Sequence, residues 1–223
     1  MKKVMYLLGT TLFFFGSFLI TSAQEIRLQP CVKVCIIMYA DNSGSMDSAI
    51  TDIHRWARSM ALVPAESGYV EIGLYSFDAG YQEWCPPTGK KSTLLNAIKE
   101  FSSSKPGGST EPLSGLIAIN ELLEQRRIED PDEWQILLIH SDYYWSQDDK
   151  SLEEIKRLLD SRVIVVLSVP KVYDIVPVFE TDFDGVDETF YELVKKLGCE
   201  SIRSNFIKFK EILESLLAKV PCG

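Results

Sequence analysis

Residues 34–46 read VCIIMYADNSGSM, seven apolar residues followed at once by a polar turn. An unbroken apolar run is typical of a strand that is covered on both faces, as in a parallel sheet between two layers of helices. In open sheets of this kind, ligands bind beyond the carboxyl ends of the strands. This stretch therefore predicts a buried strand and, in DNSGS, a candidate ligand-binding loop at its end.

The same pattern recurs along the chain. Residues 136–139 and 163–167 are further apolar runs, residues 69–77 predict another strand, and residues 82–84 predict a short hairpin strand after it. Helices are predicted by apolar residues at three- and four-residue spacing, in four groups: Ile50, Ile53, Ala57 and Met60; Leu116, Ile119 and Leu123; Leu152, Ile155 and Leu159; Phe206, Phe209, Leu213, Leu216 and Val220. The alternation predicts one α/β domain with a doubly wound, mostly parallel sheet and one antiparallel edge strand.

The first 23 residues have the layout of a secretory signal peptide. Lys2 and Lys3 precede an apolar run over residues 4–20, and three small residues follow it. We therefore predict a signal peptide over residues 1–23 and a mature domain over residues 24–223. The alternative is that residues 4–20 stay as a membrane anchor, because a bilayer span needs roughly 20 apolar residues. The lack of an Asn-x-Ser/Thr sequon favours a bacterial protein, either periplasmic or secreted.

The chain is acidic, with 32 acidic residues against 23 basic ones and a formal charge of −9. Loss of Lys2 and Lys3 with the first segment would leave 21 basic residues and a charge of −11. A surface of this sign repels phosphate backbones, and the basic residues form no cluster that would offset the repulsion. Nucleic acid is therefore excluded as a partner.

Export would place the five cysteines in an oxidising compartment. Cys31 and Cys35 cannot pair across a strand, because four strand residues span about 13 Å and a disulfide tolerates about 7 Å between Cα atoms. Cys31 could instead pair with Cys222 and join the two ends of the domain. Cys85 and Cys199 are weaker candidates for a bridge, and Cys35 is predicted to be a small buried hydrophobic residue.

Three predicted loops at one end of the sheet carry side-chain oxygens. Asp41, Ser43 and Ser45 alternate in the turn after the first strand, so their side chains can point to one place. Thr110 precedes a predicted helix, and Asp142 follows the strand at residues 136–139. Two carboxylates and three hydroxyls suit a hard cation, Mg²⁺ first and Mn²⁺ or Ca²⁺ next. With so few charged ligands, the ion would keep an open position for a carboxylate from outside.

The alternative reading of these residues is structural. DNSGS would be an ordinary turn, and under either reading Gly44 lets the backbone bend tightly. Ser45 and Thr110 would be helix N-caps, and Asp142 would be a loop acid.

Residues 89–93 (GKKST) lack the spacing of a phosphate-binding loop and are predicted as a loop with an N-cap at Ser92.

The five residues resemble, in order and context, the metal-ion-dependent adhesion site of von Willebrand factor type A domains. The resemblance covers nearly the whole mature chain, because the order of strands and helices also fits. It implies a Rossmann-like fold in which Ser43, Ser45 and Thr110 bind the ion directly, while Asp41 and Asp142 often act through water. It also implies a binding protein, not an enzyme, whose protein partner presents an acidic residue to the ion.

The chain departs from the family pattern in two places. Glycine usually follows the last Asp of the motif, whereas Tyr143, Tyr144 and Trp145 stand here, and the segment over residues 170–185 is longer than usual. Together with Trp84, these aromatic residues could form an exposed rim for a partner or pack down onto the helices. His140 could line the site or be a hydrogen-bonded histidine at a strand end.

Two other functions are compatible with the same corner of the fold. An Asp after the first strand is also how haloacid-dehalogenase-like phosphatases place their nucleophile, but the second Asp that they need is Ser43 here. The chain also lacks a G-x-S-x-G nucleophile turn, so a metal-dependent hydrolase that uses Asp41 is the less favoured reading. The remaining alternative is a structural component of an envelope complex in which the metal holds loops in place.

Overall fold

The computed structural model describes residues 32–46, 54, 58, 68–143, 145, 148–169, 196–203, 215, 217 and 218. The chain divides into two compact units, Cys31–Pro221 and Met1–Pro30 with Cys222–Gly223, and all the described residues belong to the first. The predicted signal peptide, the helices predicted from Ile50 and from Phe206, and the Cys31–Cys222 pairing lie outside the described residues. Within the described part, no helix is long and apolar enough to cross a membrane.

The described strands form one mostly parallel sheet. They are β1 (Val34–Asp41), β2 (Val70–Phe77), β3 (Tyr81–Thr88), β4 (Trp134–His140), β5 (Ile164–Val169) and β6 (Glu200–Arg203). Their order across the sheet is β3-β2-β1-β4-β5-β6, and only the β2–β3 pair is antiparallel. The predicted fold class, with one antiparallel edge strand, is confirmed. Edge position also explains why β3 tolerates Pro86 and Pro87, which cannot donate to a ladder.

Helices cover both faces of the sheet. They are α1 (Lys91–Phe101), α2 (Leu113–Glu129) and α3 (Asp148–Asp160), with a short 3-10 turn at Gly44–Met46. The N-cap of α1 is Lys90, not Ser92, and it makes no side-chain capping bond. The N-cap of α2 is Pro112, so the predicted capping role of Thr110 is wrong.

The hydrophobic core lies on both faces of the sheet, and β1 is buried at every position. Successive side chains of a strand point to opposite faces. Ile36 and Met38 accordingly pack with α1, whereas Ile37 and Tyr39 pack with α2 and α3. The unbroken apolar run at residues 34–40 is therefore explained by helices on both faces of β1.

Three of the cysteines are free and buried, namely Cys35, Cys85 and Cys199. Burial raises the pKa of the Cys35 thiol to about 12, which keeps it protonated and unreactive. Cys35 is thus a small buried hydrophobic residue, as predicted. Cys85 and Cys199, the weaker candidates for a bridge, are not bonded to each other.

Helix α2 lies close to Tyr39 of β1 at Gly115. The Tyr39 hydroxyl donates a hydrogen bond to the carbonyl oxygen of Pro112 at 2.7 Å, one turn before Gly115. A Cβ at Gly115 would overlap the Tyr39 hydroxyl and the end of its ring. Only glycine therefore allows this helix to lie on the strand with the Tyr39–Pro112 hydrogen bond in place.

We expect Gly115→Ala to lower the free energy of unfolding by about 1–3 kcal/mol, because the added methyl group displaces the Tyr39 ring. The loss outweighs the gain of about 1 kcal/mol that alanine brings to a helix interior. Urea denaturation measures the change. The control is Gly80→Ala, where a Cβ would meet no atom within 4 Å, and its unfolding midpoint should not move. Equal midpoints for the two variants would contradict the prediction.

Candidate metal centre

The turn after β1 brings three of the predicted ligands into contact. Asp41 is the last residue of β1 and is fully buried, Ser43 is buried, and Ser45 is exposed. The Ser43 N–H donates to Asp41 Oδ1 at 2.9 Å, and the hydroxyl oxygens of Ser43 and Ser45 lie 3.0 Å apart. Gly44 has no positive φ, and a Cβ there would meet no atom within 4 Å. The turn thus does not depend on glycine, and the role predicted for Gly44 is wrong.

The loop after β4 reaches Asp41 from the neighbouring strand. The Ser141 hydroxyl donates to Asp41 Oδ2 at 2.5 Å, and the next residue, Asp142, is buried. Burial raises the pKa of Asp41 to about 7; the hydrogen bonds from Ser141 and Ser43 oppose the rise, and the negative charge of Asp142 adds to it. Two acidic groups therefore share one buried corner, an arrangement that a cation between them would stabilise.

The loop that carries Thr110 is hydrogen-bonded to the ends of β1 and β2. The Gly107 N–H donates to the Asn42 carbonyl oxygen at 3.0 Å, and the Glu111 N–H donates to the Asp78 carbonyl oxygen at 2.8 Å. Thr110 lies between these two bonds and is half-buried. The backbone bonds therefore attach the Thr110 loop to the same edge of the sheet as Asp41.

One glycine of the Gly-Gly pair before Thr110 is required by the backbone. Gly108 has a φ of +75°, which side chains other than glycine rarely adopt. A Cβ at Gly108 would also lie 3.0 Å from the Cβ of Ala79 and 3.1 Å from its backbone nitrogen. Gly108 thus allows the loop to pass close over the β2–β3 turn.

Of the two alternatives for the aromatic segment, an exposed rim or inward packing, inward packing holds for its two described members, Tyr143 and Trp145. Tyr143 is fully buried and Trp145 is 6% exposed. Their ring centroids lie 5.3 Å apart, and Trp145 meets Phe77 edge to face at 6.0 Å. Trp84 is half-buried against Phe101, and Tyr144 lies outside the described residues.

Tyr143 adopts the backbone conformation that glycine would favour. Its φ is +67°, a left-handed geometry that costs other residues about 1–2 kcal/mol. The ring is held in the core, and its hydroxyl shares its one proton between the carbonyl oxygens of Ile139 at 3.2 Å and Ser168 at 3.3 Å. The departure from the family pattern therefore changes the residue but keeps a backbone typical of glycine.

His140 is the last residue of β4, and its side chain is hydrogen-bonded to β5. Its Nδ1 lies 3.0 Å from the Ser168 hydroxyl, and burial lowers its pKa to about 3. His140 is therefore neutral at ordinary pH. Of the two alternatives, the hydrogen-bonded histidine at a strand end fits this geometry.

The donor chemistry of the site fits a hard cation. The described residues contain no group of three or more His, Cys, Asp or Glu side chains that could hold a metal. Asp41 and Asp142 supply two carboxylates, so this site would depend on hydroxyls for its other protein ligands. The Ser43–Ser45 hydroxyl pair lies directly beside the Asp41 carboxylate, and oxygen ligands are those that Mg²⁺, Mn²⁺ and Ca²⁺ accept. The exposure of Ser45 opens this group of oxygens to solvent.

Comparisons with known proteins agree with the fold. The chain matches no curated protein at the level of sequence. Manganese-loaded TRAP protein from Plasmodium vivax has a similar structure, with a TM-score of 0.65 at 14% identity over 86% of this chain and 76% of that one. The von Willebrand factor domain of the type V pili tip protein Mfa5 from Porphyromonas gingivalis gives 0.62 at 12% identity over 86% and 98%.

A third similar structure is an aerotolerance-related membrane protein from Bacteroides fragilis, with a TM-score of 0.60 at 14% identity over 83% of this chain and 99% of that one. At these identities the likeness concerns the fold. In addition, residues 36–143 match the von Willebrand factor type A domain family, and this span includes all five predicted ligands. Residues 36–143 therefore match a von Willebrand factor type A domain, and the order of the strands agrees with that match.

Proposed function

We propose that this chain is an exported binding protein whose von Willebrand factor type A domain holds one divalent cation and uses it to bind an acidic side chain of a protein partner. The proposed ligands are Asp41, Ser43, Ser45, Thr110 and Asp142, with Mg²⁺, or Mn²⁺ or Ca²⁺, as the ion. The observation that carries the proposal is the buried Asp41 carboxylate, which is hydrogen-bonded on both oxygens and shares its corner with Asp142 and two serine hydroxyls.

Each residue has a distinct part in the proposed site. Asp41 and Asp142 provide the negative charge that makes the corner attractive to a cation. Ser43, Ser45 and Thr110 contribute neutral oxygens, so the two carboxylates only balance the two positive charges of the ion and leave no excess negative charge at the site. A bound ion would supply a Lewis acid to which an outside carboxylate can bind. Because the protein has 32 acidic residues, an ion of this kind would let an acidic partner group approach an otherwise repulsive surface.

The similar structures support binding as the function. One of them is loaded with manganese and another is a pilus tip protein. The geometry around Asp41 also argues against the hydrolase alternative, because a nucleophilic carboxylate must reach its substrate. Asp41 is fully buried, and both of its oxygens accept hydrogen bonds. A covalent role for Asp41 would require this corner to open.

The test is calorimetric titration of the mature protein with Mg²⁺, Mn²⁺ and Ca²⁺. We expect one bound ion per chain for the wild type and no detectable binding for Asp41→Ala or Asp142→Ala. The matched control is Asp132→Ala, because Asp132 is an exposed acid two residues before β4, at the other end of that strand from Asp142. At an ion concentration 100-fold above Kd, the ion should stabilise the wild type by about 2.7 kcal/mol and should not stabilise Asp41→Ala. Absence of binding by all three ions would refute the proposal.

A second measurement separates a partner-binding ion from one that only holds loops. Water-proton relaxation of the Mn²⁺ complex reports whether the ion keeps exchangeable water. We expect bound water in the complex and its displacement by added acetate, which is a simple carboxylate probe. An ion that stabilises the fold but holds no exchangeable water would favour the structural alternative.

A further inference from the structure

Three hydrogen bonds determine where the hydroxyl proton of Ser141 points. Ser141 is fully buried. Its oxygen accepts from the Tyr143 N–H at 2.9 Å and from the Trp145 indole N–H at 2.9 Å. A hydroxyl has two acceptor lone pairs and one proton, so the proton is left for the third neighbour, Asp41 Oδ2 at 2.5 Å. The two N–H donors thereby orient the Ser141 hydroxyl toward Asp41.

The orientation of Ser141 in turn fixes the Asp41 carboxylate. Oδ2 accepts from Ser141, and Oδ1 accepts from the Ser43 N–H at 2.9 Å. Bonds on both oxygens define the plane of the carboxylate, and hydrogen bonds to a charged acceptor are stronger than neutral ones. A carboxylate has about four acceptor positions, so others remain for a cation or its water.

Trp145 supplies the indole N–H of this set, a donor that comes from an aromatic side chain. The indole N–H can only donate. The ring is held against Phe77 and Tyr143, so the nitrogen has a defined position beside Ser141. Contacts among the rings alone would be satisfied by phenylalanine, whereas the bond to Ser141 requires an indole.

We propose that Trp145 is a positioning residue of the cation site, which acts through Ser141 to hold the Asp41 carboxylate in its ligand orientation. The inference rests on the proposed function, since it concerns the same site. It assigns a role to a residue that is not itself a ligand. It also gives a reason for the aromatic segment that stands where the family pattern has glycine.

The chain contains a matched control for this tryptophan. The Trp84 indole N–H also donates to a serine hydroxyl, that of Ser76 at 2.8 Å, and its ring also packs on a phenylalanine, Phe101. Trp84 belongs to the opposite face of the sheet from Trp145. Trp84→Phe therefore removes the same kind of bond without touching the Ser141 network.

The first experiment measures Mn²⁺ affinity by calorimetry. We expect Trp145→Phe to weaken binding about 10-fold, the lower end of the range that is usual when the direct partner of a metal ligand is removed, because Trp145 acts on Asp41 through Ser141. Trp84→Phe should leave the affinity unchanged. Ser141→Ala should cause a similar loss. The variant with both Trp145→Phe and Ser141→Ala should lose no more than Ser141→Ala alone, because Trp145 acts through Ser141. Losses that multiply would overturn the proposal.

The second experiment needs no metal. In ¹⁵N-labelled metal-free protein, the indole proton of Trp145 should exchange slowly with solvent, and Ser141→Ala should accelerate that exchange without affecting Trp84. Equal exchange in the wild type and in Ser141→Ala would refute the Trp145–Ser141 bond. If the wild type binds no divalent ion, the proposed function fails and this inference fails with it. If the wild type and Trp145→Phe bind Mn²⁺ equally, only the positioning role fails.

Discussion

Arg126→Met should lower the free energy of unfolding by about 3 kcal/mol. The Arg126 guanidinium bonds Glu133 through two nitrogens, at 2.9 Å and 2.5 Å, and bonds Glu71 at 2.7 Å. The Glu133 side chain is only 2% exposed, so the variant leaves a buried carboxylate without its cation. Removing one partner of a buried ion pair lowers the free energy of unfolding by about 3–5 kcal/mol. We expect the lower end, because Arg126 is partly exposed and Gln135 lies 3.4 Å from Glu133.

The change is measured by urea denaturation with a matched arginine as control. Arg157 pairs with Glu124 at 3.0 Å, but both side chains are about half exposed, so Arg157→Met should cost less than about 1 kcal/mol. Adding Glu133→Gln to Arg126→Met should recover much of the loss, because no unpaired buried charge remains. If Arg126→Met and Arg157→Met lower the free energy of unfolding by similar amounts, the burial of Glu133 does not determine the loss.

Tyr143→Ala should cost about 3–5 kcal/mol, the range for removing a large buried ring. Tyr143→Gly should be less damaging than Tyr143→Ala by about 1 kcal/mol, because glycine adopts a φ of +67° without strain. That order reverses the usual one, in which alanine is the more stable replacement. Tyr143→Phe removes the long hydrogen bond that the hydroxyl shares between the carbonyl oxygens of Ile139 and Ser168, and it should cost about 1 kcal/mol.

Thermal or urea unfolding of the three variants provides the comparison. Arg162 isolates the backbone contribution, since it is exposed and has a φ of +66°. Arg162→Gly should therefore raise stability by up to about 1 kcal/mol. If Tyr143→Ala is more stable than Tyr143→Gly, the prediction that the backbone at residue 143 is strained is wrong.

The sequence predicted those parts of the fold whose burial is uniform. β1, β4 and β5 lie between helices, and burial on both faces produces the apolar runs that identify them. β6 has four residues, Glu200–Arg203, two of them charged, so it carries no such pattern. α1 carries a helical pattern in Leu94, Ala97, Ile98 and Phe101, and its N-cap, Lys90, lies two residues before the predicted one, Ser92.

For the candidate site, residue types could be predicted but local conformation could not. Parallel strands end at one edge of the sheet, so convergence was expected of Asp41, Ser43 and Asp142. In the structure, Ser43 is hydrogen-bonded to Asp41, and the charge of Asp142 acts on the same carboxylate. Ligation by them remains a prediction. Ser141 was missed, since its role depends on N–H groups that only a folded loop brings together. The burial of Trp145 and the left-handed backbone at Tyr143 are likewise not revealed by the sequence pattern.

The anchoring of the Thr110 loop has a consequence for how related chains can diverge. Its downstream end is attached to the sheet through Glu111 and Pro112, the latter bonded to Tyr39, two residues before Asp41 on the same strand. Upstream, Lys105 is exposed and precedes the first anchoring bond at Gly107. Insertions at Lys105 would therefore lengthen the outer part of the loop and change the surface exposed there, while the position of Thr110 relative to β1 stays the same.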